Sequence, residues 1–180
     1  KEEGGILMNM VLGNGARFYV DHAHPEYSSP ETTNAWDAMT WDLAGDRLAS
    51  RAAVLAGERL GAEILLHKNN TDGKGQSYGT HENYLVPRAA FFENRVGLET
   101  TTRRPIINTR DEPHADDARW RRLHVITGDA NLVHASELVR VGATSVVLRL
   151  IEDGLAPAIT LADPVGDMAR VSHDPALDTL

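Results

Sequence analysis

The chain contains no cysteine among its 180 residues, which excludes a disulfide framework, a thiolate zinc site and a cysteine nucleophile. No apolar run approaches the roughly 20 residues that a membrane-spanning helix needs. No charged n-region followed by an apolar h-region opens the chain. Positive charge is also scarce: 18 Lys and Arg stand against 26 Asp and Glu, for a formal net charge of -8. A general affinity for nucleic acid or an anionic membrane is therefore not expected. Internal repeats, low-complexity tracts and Walker spacing are absent too. These absences predict a cytoplasmic protein with neither nucleic acid nor membrane among its partners.

What is present is ordinary in bulk, with 42% hydrophobic and 24% charged residues, and the length fits one domain. The opening "KEEGGILMNMVL" enters a strand pattern almost at once and without a methionine, as expected of a fragment. "ILMNMVL" and "ARFYVD" read as strands joined by a tight "GNG" turn whose glycines supply positive φ. Ser29 is then placed to cap a helix, with Pro30 and Glu31 in its first turn. The Ala-, Leu- and Arg-rich run that follows predicts one long helix ending between Gly57 and Gly61. "AEILLHK", "THENYLV", "RPIINTR" and "RRLHVITGD" read as further strands, with "NNTDGKGQSYG" a polar loop. A second helix covers "NLVHASELVRVGATSVVLRLIED", and no element is read after Gly154. This succession predicts an α+β fold with a largely antiparallel sheet.

Ionisable side chains concentrate in three stretches. In "ARFYVD", alternation puts Phe18 and Val20 on one face and Arg17, Tyr19 and Asp21 on the other. The apolar pair is expected in the core. Tyr19 and Asp21 are then either solvated or projected together onto a polar face. Glu26 favours the second arrangement, because His24-Pro25 stiffens the turn before it and two carboxylates with a phenol suit a hard cation. His22 and His24 form an HxH pair of the kind that holds zinc in amidohydrolases. A lone HxH is not specific, and continued strand alternation would turn both rings away from Asp21. In "THENYLV", His81 and Glu82 point to opposite faces, so one of them can face a polar cavity; a structural histidine is the competing reading. Arg103, Arg104, Arg110, Arg119, Arg121 and Arg122 suit carboxylates or phosphates if they face a cleft, and are scattered surface charge if they do not. His124, inside the apolar "LHVIT", reads equally well as an interior histidine. Spacing alone does not choose among the eight histidines.

Taken together, "NGARFYVDHAHPEYSSPE", "HKNNTDGKGQSYGTHENYL" and "RPIINTRDEPHADDARWRRLHVITGDAN" closely resemble the depupylase/Pup deamidase family. That family is a sister of the Pup ligases and is related to glutamine synthetase. The match runs in the same order through most of residues 7–153. "DHAHPEYSSPE" and "VGLETT" look like the depupylase branch and not the ligase branch, so the HxH pair can mark the branch without binding metal. The resemblance implies a glutamine synthetase-like α+β fold, ATP and Mg2+ as cofactors, and Pup and pupylated proteins as partners. The implied reaction is hydrolysis at the C-terminal residue of Pup: deamidation of a terminal glutamine and cleavage of the isopeptide bond to a substrate lysine. Asp21 matches the family's catalytic aspartate. Tyr19, Glu26, His81 and His124 match positions that help hold magnesium with ATP, and Arg110 matches an arginine near the nucleotide phosphates. The resemblance also implies that residues 1–180 are part of the large catalytic domain. On that comparison the chain lacks a Glu-x-Glu strand at its start, an internal segment near residues 90/91 and a small C-terminal domain. A Pup ligase is the first alternative; a zinc amidohydrolase using His22 and His24, or a Pup-binding module without activity, are the others.

Overall fold

The computed structural model describes residues 9–21, 24–68, 79–89, 99–101, 104–105, 107–110, 116–127, 132–172 and 176. The chain divides into two units: Lys1–Lys68 with Asn131–Ser145, and Asn69–Ala130 with Val146–Leu180.

In the first unit, β1 (Asn9–Val11), β2 (Arg17–Asp21) and β3 (His24–Ser28) form an antiparallel sheet in the order β1-β2-β3. The β1–β2 turn closes as the "GNG" signal predicts. Leu12 N–H donates to the Ala16 carbonyl at 2.7 Å, Asn14 Oδ1 accepts from Ala16 N–H at 3.1 Å, and Gly15 adopts φ 87°, a region open to glycine without a Cβ penalty. Met10, Phe18 and Tyr27 are neighbours across the three strands and so share a face. That face meets α1 (Ala35–Leu60), where the Tyr27 ring lies against Gly45, a buried residue of the helix. Phe18 is half-buried there, but Val20 remains 43% exposed. The expected core position of Val20 is therefore corrected: the sheet touches α1 at Tyr27, and Val20 lies towards the far end of the hairpin.

The start of α1 also differs from expectation. Its cap is Asn34, not Ser29: Asn34 Oδ1 accepts from Asp37 N–H at 2.9 Å and its amide donates to Asp37 Oδ2 at 2.8 Å. This reciprocal arrangement satisfies a first-turn N–H and places an acid at the positive end of the helix dipole. The helix ends at Gly61, φ 65°, with Ala62 N–H donating back to the Gly57 carbonyl at 3.2 Å, the glycine C-cap that the sequence predicts. Residues 62–68, read as a strand, form no strand and have no strand partner among the described residues. Lys68 ties their end to Asp46 at 2.8 Å and Asp42 at 3.2 Å.

In the second unit, β4 (Thr80–Pro87), β8 (Trp120–Thr127) and β7 (Ile107–Arg110) form an antiparallel sheet in the order β4-β8-β7. A second pair joins β5 (Glu99–Thr101) to β6 (Arg104–Pro105). Every described pairing in the chain is antiparallel, in keeping with the α+β expectation. One face of β4-β8-β7 carries Val86 and Leu123 with Tyr84, Ile107 and Val125, gathered around Leu148. Leu148 belongs to α2 (His134–Glu152). Val86, Leu123 and Leu148 are the buried members, and burying an aliphatic side chain contributes about 1.5–3 kcal/mol before entropy is counted. α2 stops at Gly154, φ 68°, with Leu155 N–H returning to the Leu150 carbonyl at 2.8 Å. A short α3 (Pro164–Ser172) follows, an element absent from the sequence expectation. Its start is nonetheless written locally: Asp163 Oδ1 accepts from Gly166 N–H at 3.0 Å, and Pro164 occupies the first helical position. Among the described residues, no helix is long and apolar enough to cross a membrane.

Candidate active site

The polar face of the first sheet is set by register. Tyr19 stands opposite Glu26, and Asp21 opposite His24. Cross-strand partners share a face, as do residues two apart on a strand. Tyr19, Asp21, His24 and Glu26 are therefore grouped on one side of the β2–β3 hairpin, opposite the Phe18–Tyr27 face that meets α1. The juxtaposition expected of Tyr19, Asp21 and Glu26 is present, but by a different route for His24. The chain reverses between Asp21 and His24, so His24 shares the Asp21 face and is not turned away from it. His22 lies outside the described residues.

Burial and a hydrogen bond to the Glu26 carboxylate push the Tyr19 phenol up to about 12, with added repulsion from Asp21 and partial relief from Ser28. Tyr19 is thus a neutral donor to Glu26 at physiological pH. That bond orients Glu26 on the same face as Asp21. The donor chemistry of this face suits a hard cation: two carboxylates and a phenol, all oxygen ligands. Within either unit, no three His, Asp or Glu side chains among the described residues are grouped closely enough to hold a metal by themselves.

In the second unit, the same period of two sorts β4 cleanly. Glu82, Tyr84 and Val86 turn to the Leu148 side, with Tyr84 OH donating to Glu82 Oε2 at 2.5 Å. His81 and Asn83 occupy the opposite, exposed face. Of the pair "HE", His81 is therefore the one available to a polar site. His124, only 4% exposed, lies on that same face in the middle strand, directly opposite Asn83 on β4 and Asn108 on β7. Its Nδ1 is 2.8 Å from Asn83 Oδ1, and its ring meets His81 edge to face with centroids 5.3 Å apart. Arg110 Nε donates to Asn108 Oδ1 at 2.9 Å. Arg110 itself stands opposite Arg122.

His81, His124 and Arg110 thus share one sheet face. Asn83 and Asn108 were not singled out from the sequence, and Arg122 was only one of six arginines. The signal that could have found them is the strand period itself: Arg122 is two residues before His124, and Asn83 two after His81. Arg110 and Arg122 place two guanidinium groups, of the kind that bind phosphate or carboxylate, directly opposite each other on this face. The two sites each stand within one unit: carboxylates and a phenol in the first, imidazoles and guanidinium groups in the second.

A family model described as "Pup-ligase protein" matches the chain in two stretches, residues 1–94 and 85–180. The chain is 47% identical over 216 residues to the depupylase of Acidothermus cellulolyticus, covering 95% of this chain and 43% of that protein. It is 45% identical over 214 residues to the Pup deamidase/depupylase of Mycolicibacterium smegmatis, covering 94% and 43%. Among solved structures it matches the Pup ligase PafA in complex with ADP, with a TM-score of 0.79, 36% identity, and coverage of 93% of this chain and 47% of that one. The complex of Pup with its ligase PafA matches with the same TM-score and identity, covering 93% and 43%. The chain therefore spans less than half the length of these curated relatives, and it shares the α+β fold of the ligase. With its sheets, its polar faces and these likenesses in agreement, the chain belongs to the Pup-ligase protein family.

Proposed function

We propose that the chain is the part of a Pup deamidase/depupylase that carries its catalytic carboxylate, working with bound ATP and magnesium at the C-terminal residue of Pup. One observation carries this reading: Asp21, Tyr19 and Glu26 share one face of a hairpin in a chain that is 47% identical to a depupylase. Identity to the ligase structures is lower, at 36%. The substrates are Pup with a terminal glutamine and Pup joined to a lysine, since in both the scissile carbonyl belongs to a glutamine-like side chain.

Each residue has a chemical part. The Asp21 carboxylate acts on the scissile carbonyl, either attacking it or orienting water towards it. The Tyr19 phenol keeps its proton and holds Glu26 in place. Tyr19, Glu26, His81 and His124 are the residues that would hold magnesium, which when bound supplies electrostatic stabilisation of a developing oxyanion. Arg110, with Arg122 opposite it, receives nucleotide phosphate through charge-assisted hydrogen bonds.

Incubation with glutamine-ended Pup and ATP, read by mass spectrometry, tests this reading. A gain of about one dalton on Pup without attachment to lysine is expected. Conjugation of Pup to a target with no deamidation would make the chain part of a ligase instead. Activity that survives nucleotide removal, with zinc in the protein, would transfer the site to His22 and His24.

A further inference from the structure

Asparagine is depleted from β-strands because its short amide side chain competes for local backbone hydrogen bonds. Yet both strands flanking His124 place one directly opposite it, Asn83 on β4 and Asn108 on β7. The two amides do different things. Asn108 Oδ1 accepts from Arg110 Nε at 2.9 Å. Asn83 Oδ1 lies 2.8 Å from His124 Nδ1. An amide oxygen accepts and cannot donate, so the nitrogen facing it must carry the proton. The imidazole lone pair then resides on Nε2.

We propose that Asn83 is a positioning residue for His124, holding the ring in its Nδ1–H tautomer so that Nε2 is the atom offered to a divalent cation. The inference rests on the reading of His124 as a ligand-holding residue. Three features support it. His124 is 4% exposed, and at low dielectric the hydrogen bond weighs heavily in the choice between tautomers. The His81 ring, edge to face at 84° and 5.3 Å, braces the imidazole against a flip that would carry Nδ1 away from Asn83. Metal-binding histidines are regularly fixed through their second nitrogen by an acceptor of this kind. The choice of amide over carboxylate has its own logic. An aspartate at this position would also accept the Nδ1 proton, but its charge would favour the imidazolium form, which cannot bind a metal. Asparagine selects the tautomer without adding that charge.

Long-range 1H–15N correlation spectra of the 15N-labelled protein, with His124 assigned through His124→Gln, read the tautomer directly at about pH 8, where an ordinary imidazole is neutral. The wild-type ring is expected to show a protonated Nδ1 and a lone pair on Nε2. Asn83→Leu should lose that preference while the remaining amide spectrum is kept, and Asn83→Asp should keep Nδ1 protonated. A wild-type ring protonated on Nε2 overturns the proposal, as does an Asn83→Leu ring with an unchanged tautomer. Titration with MgCl2 and ADP separates the two layers of the argument. A response at Nε2 is expected. No response from a ring already locked as Nδ1–H would contradict the ligand role of His124, a failure distinct from a wrong tautomer.

Discussion

Arg110 and Arg122 face each other across β7 and β8. Arg122→Met removes one of these two charges from the sheet face. The same change removes a charge-assisted bond worth about 1.5–3 kcal/mol, so ADP affinity should fall roughly tenfold or more. Isothermal titration alongside a melting curve checks this; a variant that loses stability and keeps its ADP affinity would make Arg122 a structural residue. Legibility at this scale followed alternation. Tyr19 and Asp21 could be paired from the period of two alone, and Glu26 from the stiff His-Pro turn before it. His24 could not be placed, because its face depends on where the chain reverses. Nor could spacing select His81 and His124 from eight histidines, since that choice depends on which strands lie side by side.

Helix α1 couples the first sheet to the rest of its unit through Gly45. A Cβ there would lie inside the van der Waals envelope of the Tyr27 ring. Alanine is the better helix former by ~1 kcal/mol, but overpacking costs about 1–3 kcal/mol, so Gly45→Ala should destabilise on balance. Tyr27 also follows Glu26 directly on β3, so the hairpin should feel the shift. Chemical denaturation gives the stability, and amide shifts on β2 and β3 give the displacement. A Gly45→Ala variant with raised stability and an unmoved hairpin would mean that Tyr27 does not bear on the helix.

The same helix meets Glu137 of α2 at Asp42. Glu137 is 4% exposed. Burial, then the charge and hydrogen bond of Asp42, push its carboxyl up from 4.5 to about 7, against partial relief from Arg140 and Lys68. The fold thus favours the protonated form. Its stabilising contribution is complete below pH 4.5, where the unfolded carboxyl is also protonated, and is lost as pH rises towards about 7. Burial disfavours the charge on Lys68, but its bonds to Asp46 and Asp42 outweigh this and hold the ammonium above its ordinary range. Glu137→Gln keeps the size of the side chain and a donor to Asp42, so it should flatten the stability profile between about pH 5 and 7. An unchanged profile would place the titration elsewhere. At this scale helix ends were the readable part, with Gly61 and Gly154 closing α1 and α2 as glycine should. The start of α1 was misread because Ser29-Pro30 and Asn34-x-x-Asp37 are both valid caps locally. Residues 62–68 were misread because strand pattern alone does not supply a neighbouring strand.

Over the whole chain, absent cysteine and net acidity excluded classes of function, and the order of elements predicted an antiparallel α+β fold. Recognition came from three ordered blocks and not from any short motif. Strand periodicity orders side chains only within one sheet, so only the resemblance grouped Tyr19 and Glu26 with His81 and His124 as one expected ligand set. The chain spans 43% of its depupylase relatives, so its activity is the property most worth measuring. Asp21 lies on the exposed side of β2, away from the Tyr27–Gly45 contact, and Asp21→Asn should keep the fold and ADP binding. The decisive measurement is the rate of deamidation of glutamine-ended Pup by wild-type and Asp21→Asn protein with ATP and magnesium present. A loss of roughly 10²–10⁴-fold or more, with melting and nucleotide binding unchanged, is the predicted result. An Asp21→Asn protein that deamidates Pup at the wild-type rate would remove Asp21 from the mechanism and contradict the proposal at its centre.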